Sequence, residues 1–298
     1  MWGRHHSDVP YGVVDVGSNT VRLLVAAHGK PLLSLRETLG LGEAVERTGR
    51  ISESKLVETA RHVSRFVDEA REAGADDVEI LITSPGRQAA NGPELVDAIE
   101  DETTAPARIL SSQEEGQLAF IGALSTLHLP PRRRVAVVDV GGGSTQLVVG
   151  SAREGIIWSG AIDLGSRRLT SRRLSGDPPS RRDLEQARAE VDELLAPLVP
   201  PLSRSAYAVG GSARALKRLV GGRLDEAELA GAIDLLARTS HVDLVDHYDV
   251  NPARAETLAA GATILDAVRA KLDTPLKVIR AGVREGAVAE LGARRRAA

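Results

Sequence analysis

Apolar positions along the chain form two alternating runs that share the same interruption. Residues 13–25 read VVDVGSNTVRLLV and residues 137–149 read VVDVGGGSTQLVV: an apolar strand, an aspartate, a small-residue turn and a second apolar strand. Seven of the thirteen aligned positions are identical, and the copies stand 124 positions apart. The first copy lies in a β region that continues to about residue 39. ISESKLVETARHVSRFVDEAREAG then has helical spacing, with Leu56, Ala60, Val63, Val67 and Ala70 on one face, Ser52 as N-cap and Gly74 to end it. DDVEILITS (76–84) predicts a strand, PGRQAANGPELVDAIEDETT a loop entering a helix, ARILSS (107–112) a short strand, and EEGQLAFIGALSTLHL a helix.

After Pro130 and Pro131 the pattern restarts. RRVAVVDVGGGSTQLVVGS and GIIWSGAIDLG predict a meander of strands, and RRDLEQARAEVDELLAPL a helix capped by Ser180. SAYAVGGSARALKRLVGG reads as strand, double glycine, helix; the rest is mostly helical until PLKVIRAGVREGAVAEL closes with a strand and a last helix. Strands alternating with helices imply mixed sheets with covered faces. Two halves, each opened by the same strand–turn–strand, suggest two α/β domains sharing one cleft.

Composition narrows the chemistry. Only 2% of the 298 residues are aromatic, so the core must be built from Val, Leu, Ile and Ala. The absence of cysteine excludes disulfides, thiolate metal sites and a thiol nucleophile. MWGRHHSDVPYG has no apolar stretch of signal-peptide length, and no apolar run approaches the ~18 residues of a membrane span, so a cytoplasmic protein without a membrane partner is expected. The net charge of −3 gives no general attraction for polyanions and no reason to expect nucleic acid. Arginine is clustered nonetheless, at 132–134, 167–173, 181–182 and 294–296, as solvated charge or as a local basic surface.

The doubled turn has the composition of a phosphate site. Gly17, Gly141, Gly142 and Gly143 let a ligand approach the main chain, and successive turn N–H groups converge on an anion. Ser18, Asn19, Thr20, Ser144 and Thr145 add side-chain donors, while Asp15 and Asp139 could hold Mg²⁺, directly or through water, and bridge it to phosphate. One such copy could be a plain tight hairpin; two with the same order of Asp, Gly and hydroxyl are harder to explain by turn geometry. Neither GxxxxGK[ST] nor a strand followed by GxGxxG is present.

DVGSNTVRLLV, SSQEEGQLAF and DVGGGSTQLVV, in this order, resemble the Ppx/GppA family of exopolyphosphatases and guanosine pentaphosphate phosphatases, within the actin-like ATPase superfamily. TSPGRQAANG (83–92), IDLGSRRLT (162–170), VGGSARAL (209–216) and VREGAVAEL (283–291) are similar to further segments of that family. The resemblance implies an α/β fold of two actin-like (ribonuclease H-like) domains with mixed central sheets flanked by helices and an active site in the interdomain cleft. The expected domains are 1–116 and 117–283, with a C-terminal helix at about 284–298 packing back on the first.

The resemblance also assigns roles. Glu115 maps to the catalytic glutamate, Arg87 to a phosphate-cleft arginine, Asn91 to the same stretch, and Arg168 to a polyanion-lining position. Gly210, Gly211 and Ser212 open a helix whose N-terminus could receive phosphate. From the residues alone, Glu115 is ambiguous. Ser112-Gln113-Glu114-Glu115 fits a capping box that would occupy it, and Ser111-Ser112-Gln113-Glu114 fits one that would leave it available. One departure stands out: the family writes GGGSTE where this chain has GGGSTQ, with Gln146 in place of the glutamate. His241, Asp243, Asp246 and His247 invite a metal reading, but their spacing and Pro252 suggest a loop.

The implied activity is Mg²⁺-dependent release of terminal orthophosphate from inorganic polyphosphate, with Mn²⁺ as the alternative ion. Arginines 167–173 could form a track for the chain, and the protein could be a homodimer, although the sequence does not give the oligomeric state. Guanosine pentaphosphate is the rival substrate. An ATP-dependent kinase or ATPase, and a silent polyphosphate or nucleotide sensor motivated by Gln146, are the other classes.

Overall fold

The computed structural model describes residues 9–27 and 29–297. Expectations for the N-terminal segment and Ala298 lie outside the described residues, as do the side chains of residues 295–297. The chain divides into two compact units, residues 1–125 with 282–298, and residues 126–281.

In unit 1, β1 (Tyr11–Val16), β2 (Thr20–Ala27) and β3 (Lys30–Thr38) form an antiparallel meander, followed by α1 (Leu41–Thr48) and α2 (Glu53–Glu72). Then come β4 (Asp77–Ile82), α3 (Ser84–Gln88), α4 (Gly92–Glu102), β5 (Ala107–Ile109) and α5 (Ser112–Thr126). The sheet order is β3-β2-β1-β4-β5, with β1, β4 and β5 parallel. Central β1 is apolar and covered on both faces, as a parallel strand with helices on either side requires. Edge strand β3 is largely solvated and mixes Leu with Lys, Arg and Glu. Ser52 caps α2 by accepting the Lys55 N–H, and Leu56, Ala60, Val63, Phe66, Val67 and Ala70 form its buried seam. Gly12 lets that seam approach: a Cβ there would lie 3.1 Å from the Ala70 Cβ.

Unit 2 repeats the plan. β6 (Val135–Val140), β7 (Thr145–Ser151) and β8 (Gly155–Ile162) form the meander, followed by α6 (Ser166–Arg173), α7 (Arg181–Leu195) and β9 (Ala206–Val209). The remaining elements are α8 (Gly210–Val220), β10 (Arg223–Leu224), α9 (Glu226–Leu236), α10 (His241–Tyr248), α11 (Pro252–Leu272) and β11 (Leu276–Val278). Read from β8, the order β8-β7-β6-β9-β11 is that of unit 1, with β10 added at the edge. Ser180 caps α7 as its sequence predicts. The sequence repeat is therefore the trace of a repeated sheet. The last helix, α12 (Val283–Ala297), belongs to unit 1 and packs on β1.

Two expected loops are helical. Ser84–Gln88 closes a short turn directly after β4. Residues 241–248 form α10 because the Ser240 hydroxyl accepts the Asp243 N–H, and Pro252 starts α11 instead of prolonging a loop. A domain boundary at 116/117 would cut α5, whose Leu118, Ala119, Phe120 and Ala123 are buried; the units part after Ser125. No helix among the described residues is long and apolar enough to cross a membrane.

Candidate active site

The two glycine turns have the same construction. Gly17 N–H donates to Thr20 O over 3.0 Å, and Gly141 N–H to Ser144 O over 3.0 Å. In each turn the first glycine is crowded: a Cβ on Gly17 would lie 3.3 Å from the Thr20 carbonyl oxygen, and one on Gly141 3.0 Å from that of Ser144. Asp15 faces Arg22 across the first hairpin, and Asp139 faces Gln146 at the equivalent place in the second.

In both units the chain entering the next helix pins the turn carbonyls from behind. Ser18 O accepts from Gly42 N at 2.7 Å, and Asn19 O from Leu39 N at 3.1 Å and Gly40 N at 3.2 Å. Gly141 O accepts from Ser166 N at 2.9 Å, and Gly142 O from Arg167 N at 2.9 Å and Arg168 N at 3.1 Å. Gly165 is needed for this approach, since a Cβ would fall 2.5 Å from the Gly142 carbonyl carbon. A trans peptide points its N–H opposite to its C=O. The N–H groups of Asn19, Thr20, Gly142 and Gly143 are thereby aimed away from α1 and α6, which is the arrangement of an anion-binding nest.

The hydroxyls of both turns have partners within their own unit. Ser18 Oγ and Ser84 Oγ are hydrogen-bonded at 2.5 Å, and Thr20 Oγ1 accepts from Arg22 Nε at 3.0 Å. Thr145 Oγ1 donates to Leu164 O over 2.7 Å, while Ser144 Oγ accepts from Gln146 Nε2 over 2.8 Å. Ser144 and Thr145 are fully buried.

In unit 2 the first residue of α8, directly after β9, closes against Asp139. Gly210 has φ of 89°, and a Cβ there would lie 2.5 Å from Asp139 Oδ1, so only glycine fits on both counts. A Cβ on Gly211 would collide with the guanidinium of Arg254, which lies over the start of α8. Ser212 is buried against Gly261 of α11, so its hydroxyl faces the interior and its amide is the group α8 can offer. Arg254 does not stand out from sequence. The available signal was a cation in the first turn of α11, where the helix dipole disfavours it.

In unit 1 the capping ambiguity resolves. Ser111 N–H donates to Glu114 Oε2 at 2.8 Å, and Glu114 N–H to Ser111 Oγ at 3.1 Å, so the box closes one residue early. The Ser111 amide and hydroxyl, helped by Arg108, hold the Glu114 carboxyl below its ordinary value. Glu115 is buried, and its Oε2 accepts from Arg87 Nη2 over 2.8 Å; Arg87 Nη1 also donates to Leu110 O over 2.6 Å. Asn91 serves the scaffold. It exchanges hydrogen bonds of 2.9 Å with both the N–H and the C=O of Ile51, latching the loop before α2.

Asp15 is packed on nearly every side while keeping a partly accessible edge. Burial pushes its carboxyl up; the charges of Arg284 and Arg22 pull it down, and Glu285 opposes them. The arginines at 167–173 do not present a bare track. Arg168 pairs with Asp163 at 2.7 Å, Arg172 with Glu190 at 3.3 Å, Arg173 with the same glutamate, and Arg167 approaches Glu256 at 4.0 Å. His241 lies 3.4 Å from Asp177 and His247 3.8 Å from Asp243. Among the described residues no group of three or more His, Asp or Glu could hold a metal ion.

Two mixed sheets of one topology, each with a glycine hairpin at the end of its first strand, define the actin-like class of proteins. The profile of the Ppx/GppA phosphatase family matches residues 21–294, and the chain belongs to that family. It is 30% identical over 302 residues to exopolyphosphatase 1 of Mycobacterium tuberculosis, spanning 93% of this chain and 86% of the relative. It is 28% identical over 306 residues to exopolyphosphatase 2 of the same organism, spanning 93% of each chain. The crystal structure of an exopolyphosphatase-like protein superposes with a TM-score of 0.86 at 25% identity, covering 96% of this chain and all of that one.

Proposed function

We propose that the protein is an exopolyphosphatase that cleaves the terminal phosphoanhydride bond of inorganic polyphosphate and releases orthophosphate. The observation that carries this reading is the state of Glu115: relieved of capping by Glu114, buried, and held in one orientation by Arg87. The relatives named exopolyphosphatase support the substrate class.

In this reading Glu115 accepts a proton from water as the water oxygen bonds to the terminal phosphorus. The bridging P–O bond breaks, and the shortened chain leaves with its electron pair. Arg87 fixes the glutamate, and its permanent charge favours a phosphate group beside it. In unit 1 the amides of Asn19 and Thr20, in the turn of Gly17 and Ser18, offer donors to phosphate oxygens; in unit 2 those of Gly142 and Gly143, in the turn of Gly141, Ser144 and Thr145, offer the same, as do those of Gly211 and Ser212 at the start of α8. Positioning and charge stabilisation supply most of the rate, because phosphoryl transfer needs little covalent help.

The donor set fits a magnesium ion better at Asp139 than at Asp15. Asp139 faces the neutral Gln146, whereas Asp15 faces Arg22 and feels Arg284. Mg²⁺ is commonly held by one or two carboxylates with water and substrate phosphates, so a lone aspartate suffices and a protein cage is not required. Bound there, Mg²⁺, or Mn²⁺ in its place, would neutralise charge building on phosphate oxygens.

The test offers the purified protein and Mg²⁺ long-chain polyphosphate, guanosine pentaphosphate and ATP separately, reading released phosphate. Release from polyphosphate that is lost in Glu115→Gln supports the reading. Release from guanosine pentaphosphate alone moves the substrate to the alarmone. Binding of polyphosphate without release would make the protein a sensor.

A further inference from the structure

The segment Gly282-Val283-Arg284-Glu285-Gly286 has no assigned part in the reaction, yet it touches two elements that carry the site of unit 1. From the first turn of α12, Arg284 Nη1 donates to the carbonyl of Leu23 on β2 over 3.2 Å. Leu23 follows Arg22, the residue paired with Asp15 across the first hairpin. On its other side the segment meets α5 backbone to backbone. A Cβ on Gly286 would overlap the Leu118 carbonyl, and one on Gly122 would lie 2.8 Å from Gly286 N and 3.3 Å from Gly282 C. Glu115 opens that same helix, two turns before Gly122.

Apolar side chains alone could attach a terminal helix to a sheet. They would not need glycines on both helices or a half-buried arginine reaching a strand carbonyl. The contact at Gly122 and Gly286 leaves α5 no room to slide, because interiors are close-packed and a methylene is felt. Arg284 then ties that fixed helix pair to the hairpin, and its charge also acts on Asp15.

We propose that Arg284 is a positioning residue, which with the glycine crossing holds the helix of Glu115 and the hairpin of Asp15 in one fixed relation. The inference rests on the reading of Glu115 and the first turn as parts of the hydrolytic site. Misplacement of a positioned group by about 1 Å can cost as much as 100-fold in rate.

The experiment compares the intact wild-type protein with Arg284→Ala, Arg284→Lys and Gly122→Ala, measuring kcat, KM and Tm on polyphosphate. Arg284→Ala is expected to lower kcat roughly ten- to a hundredfold with a smaller change in KM. Added guanidinium should restore part of the kcat of Arg284→Ala and none of that of Gly122→Ala, and Arg284→Lys should lie between wild type and Arg284→Ala. A folded Arg284→Ala with wild-type kcat, or one whose lost kcat guanidinium leaves unchanged, overturns the proposal. If Arg284→Ala does not fold, Arg284→Lys decides: wild-type kcat in that variant overturns the proposal and a lowered kcat with unchanged Tm supports it. An inactive wild type would sink the reading of the site itself, which separates the two failures.

Discussion

Arg87 grips Glu115 with one nitrogen, at 2.8 Å from Oε2, and the carbonyl of Leu110 with the other, at 2.6 Å. One side chain thus ties the end of β5 to the first turn of α5. With Glu114 drawn back to Ser111, two adjacent glutamates have different partners and different roles.

That division predicts opposite outcomes from neighbouring substitutions. Glu115→Gln should lower phosphate release by roughly 10²- to 10⁴-fold while leaving Tm nearly unchanged. Glu114→Gln should keep most activity and lose about 1 kcal/mol of stability, because the cap and the Arg108 contact weaken. Parallel kinetics and thermal melts check both. Equal activity loss from the two changes would refute the division.

Acid should erase the contribution of Glu114. Its folded carboxyl titrates below the ordinary value of 4.5, so its stabilising effect is full above that value and fades as pH falls through the folded one. The Tm gap separating wild type from Glu114→Gln should be widest near neutrality and close in acid. A gap that stayed constant with pH would mean the carboxylate charge is not what stabilises.

Gln146 sets up a metal-linked prediction. It is buried and donates to Ser144 Oγ over 2.8 Å, a bond an ionised glutamate could not donate. Gln146→Glu should therefore melt several degrees lower than wild type without divalent ions, since a buried charge needs a partner. Mg²⁺ should raise its Tm by more than it raises that of wild type, and phosphate release should be at least unchanged. Melts that ignore Mg²⁺ in both proteins would argue against a cation at Asp139.

Arg254 should act on affinity. Lying over Gly211 at the start of α8, it adds a charge-assisted donor where helix amides already attract anions. Arg254→Gln is expected to raise KM for polyphosphate about tenfold with a smaller effect on kcat, and to weaken the salt dependence of binding. Titration at several ionic strengths measures both.

Local signals were legible in the sequence. The doubled hairpins and the caps at Ser52 and Ser180 depend on residues a few positions apart, whereas the box before α5 was legible only as two overlapping alternatives that the structure decides for Ser111 and Glu114. The repeated VVDVG placed the equivalent strand in each sheet, which is most of the fold. Long-range partners were not legible. Nothing around Thr145 announces that its hydroxyl goes to Leu164, nor around Asn91 that it latches Ile51, 40 residues earlier. At α10 the proline pointed to a loop, although Ser240 and Asp243 already wrote a helix start and Pro252 opens the next helix. Arg254 and Arg284 gain meaning only from glycines and carbonyls brought to them by folding.

The glycine crossing at Gly122 and Gly286 has a consequence for the order of assembly. Residues 126–281 form an uninterrupted insert that can complete its own sheet as soon as it leaves the ribosome. The earlier-made unit must wait for its final helix, arriving some 160 residues later, before α5 has its neighbour. A nascent chain stalled short of Gly282 would carry a finished second half and an open first half, with the helix of Glu115 not yet locked in place.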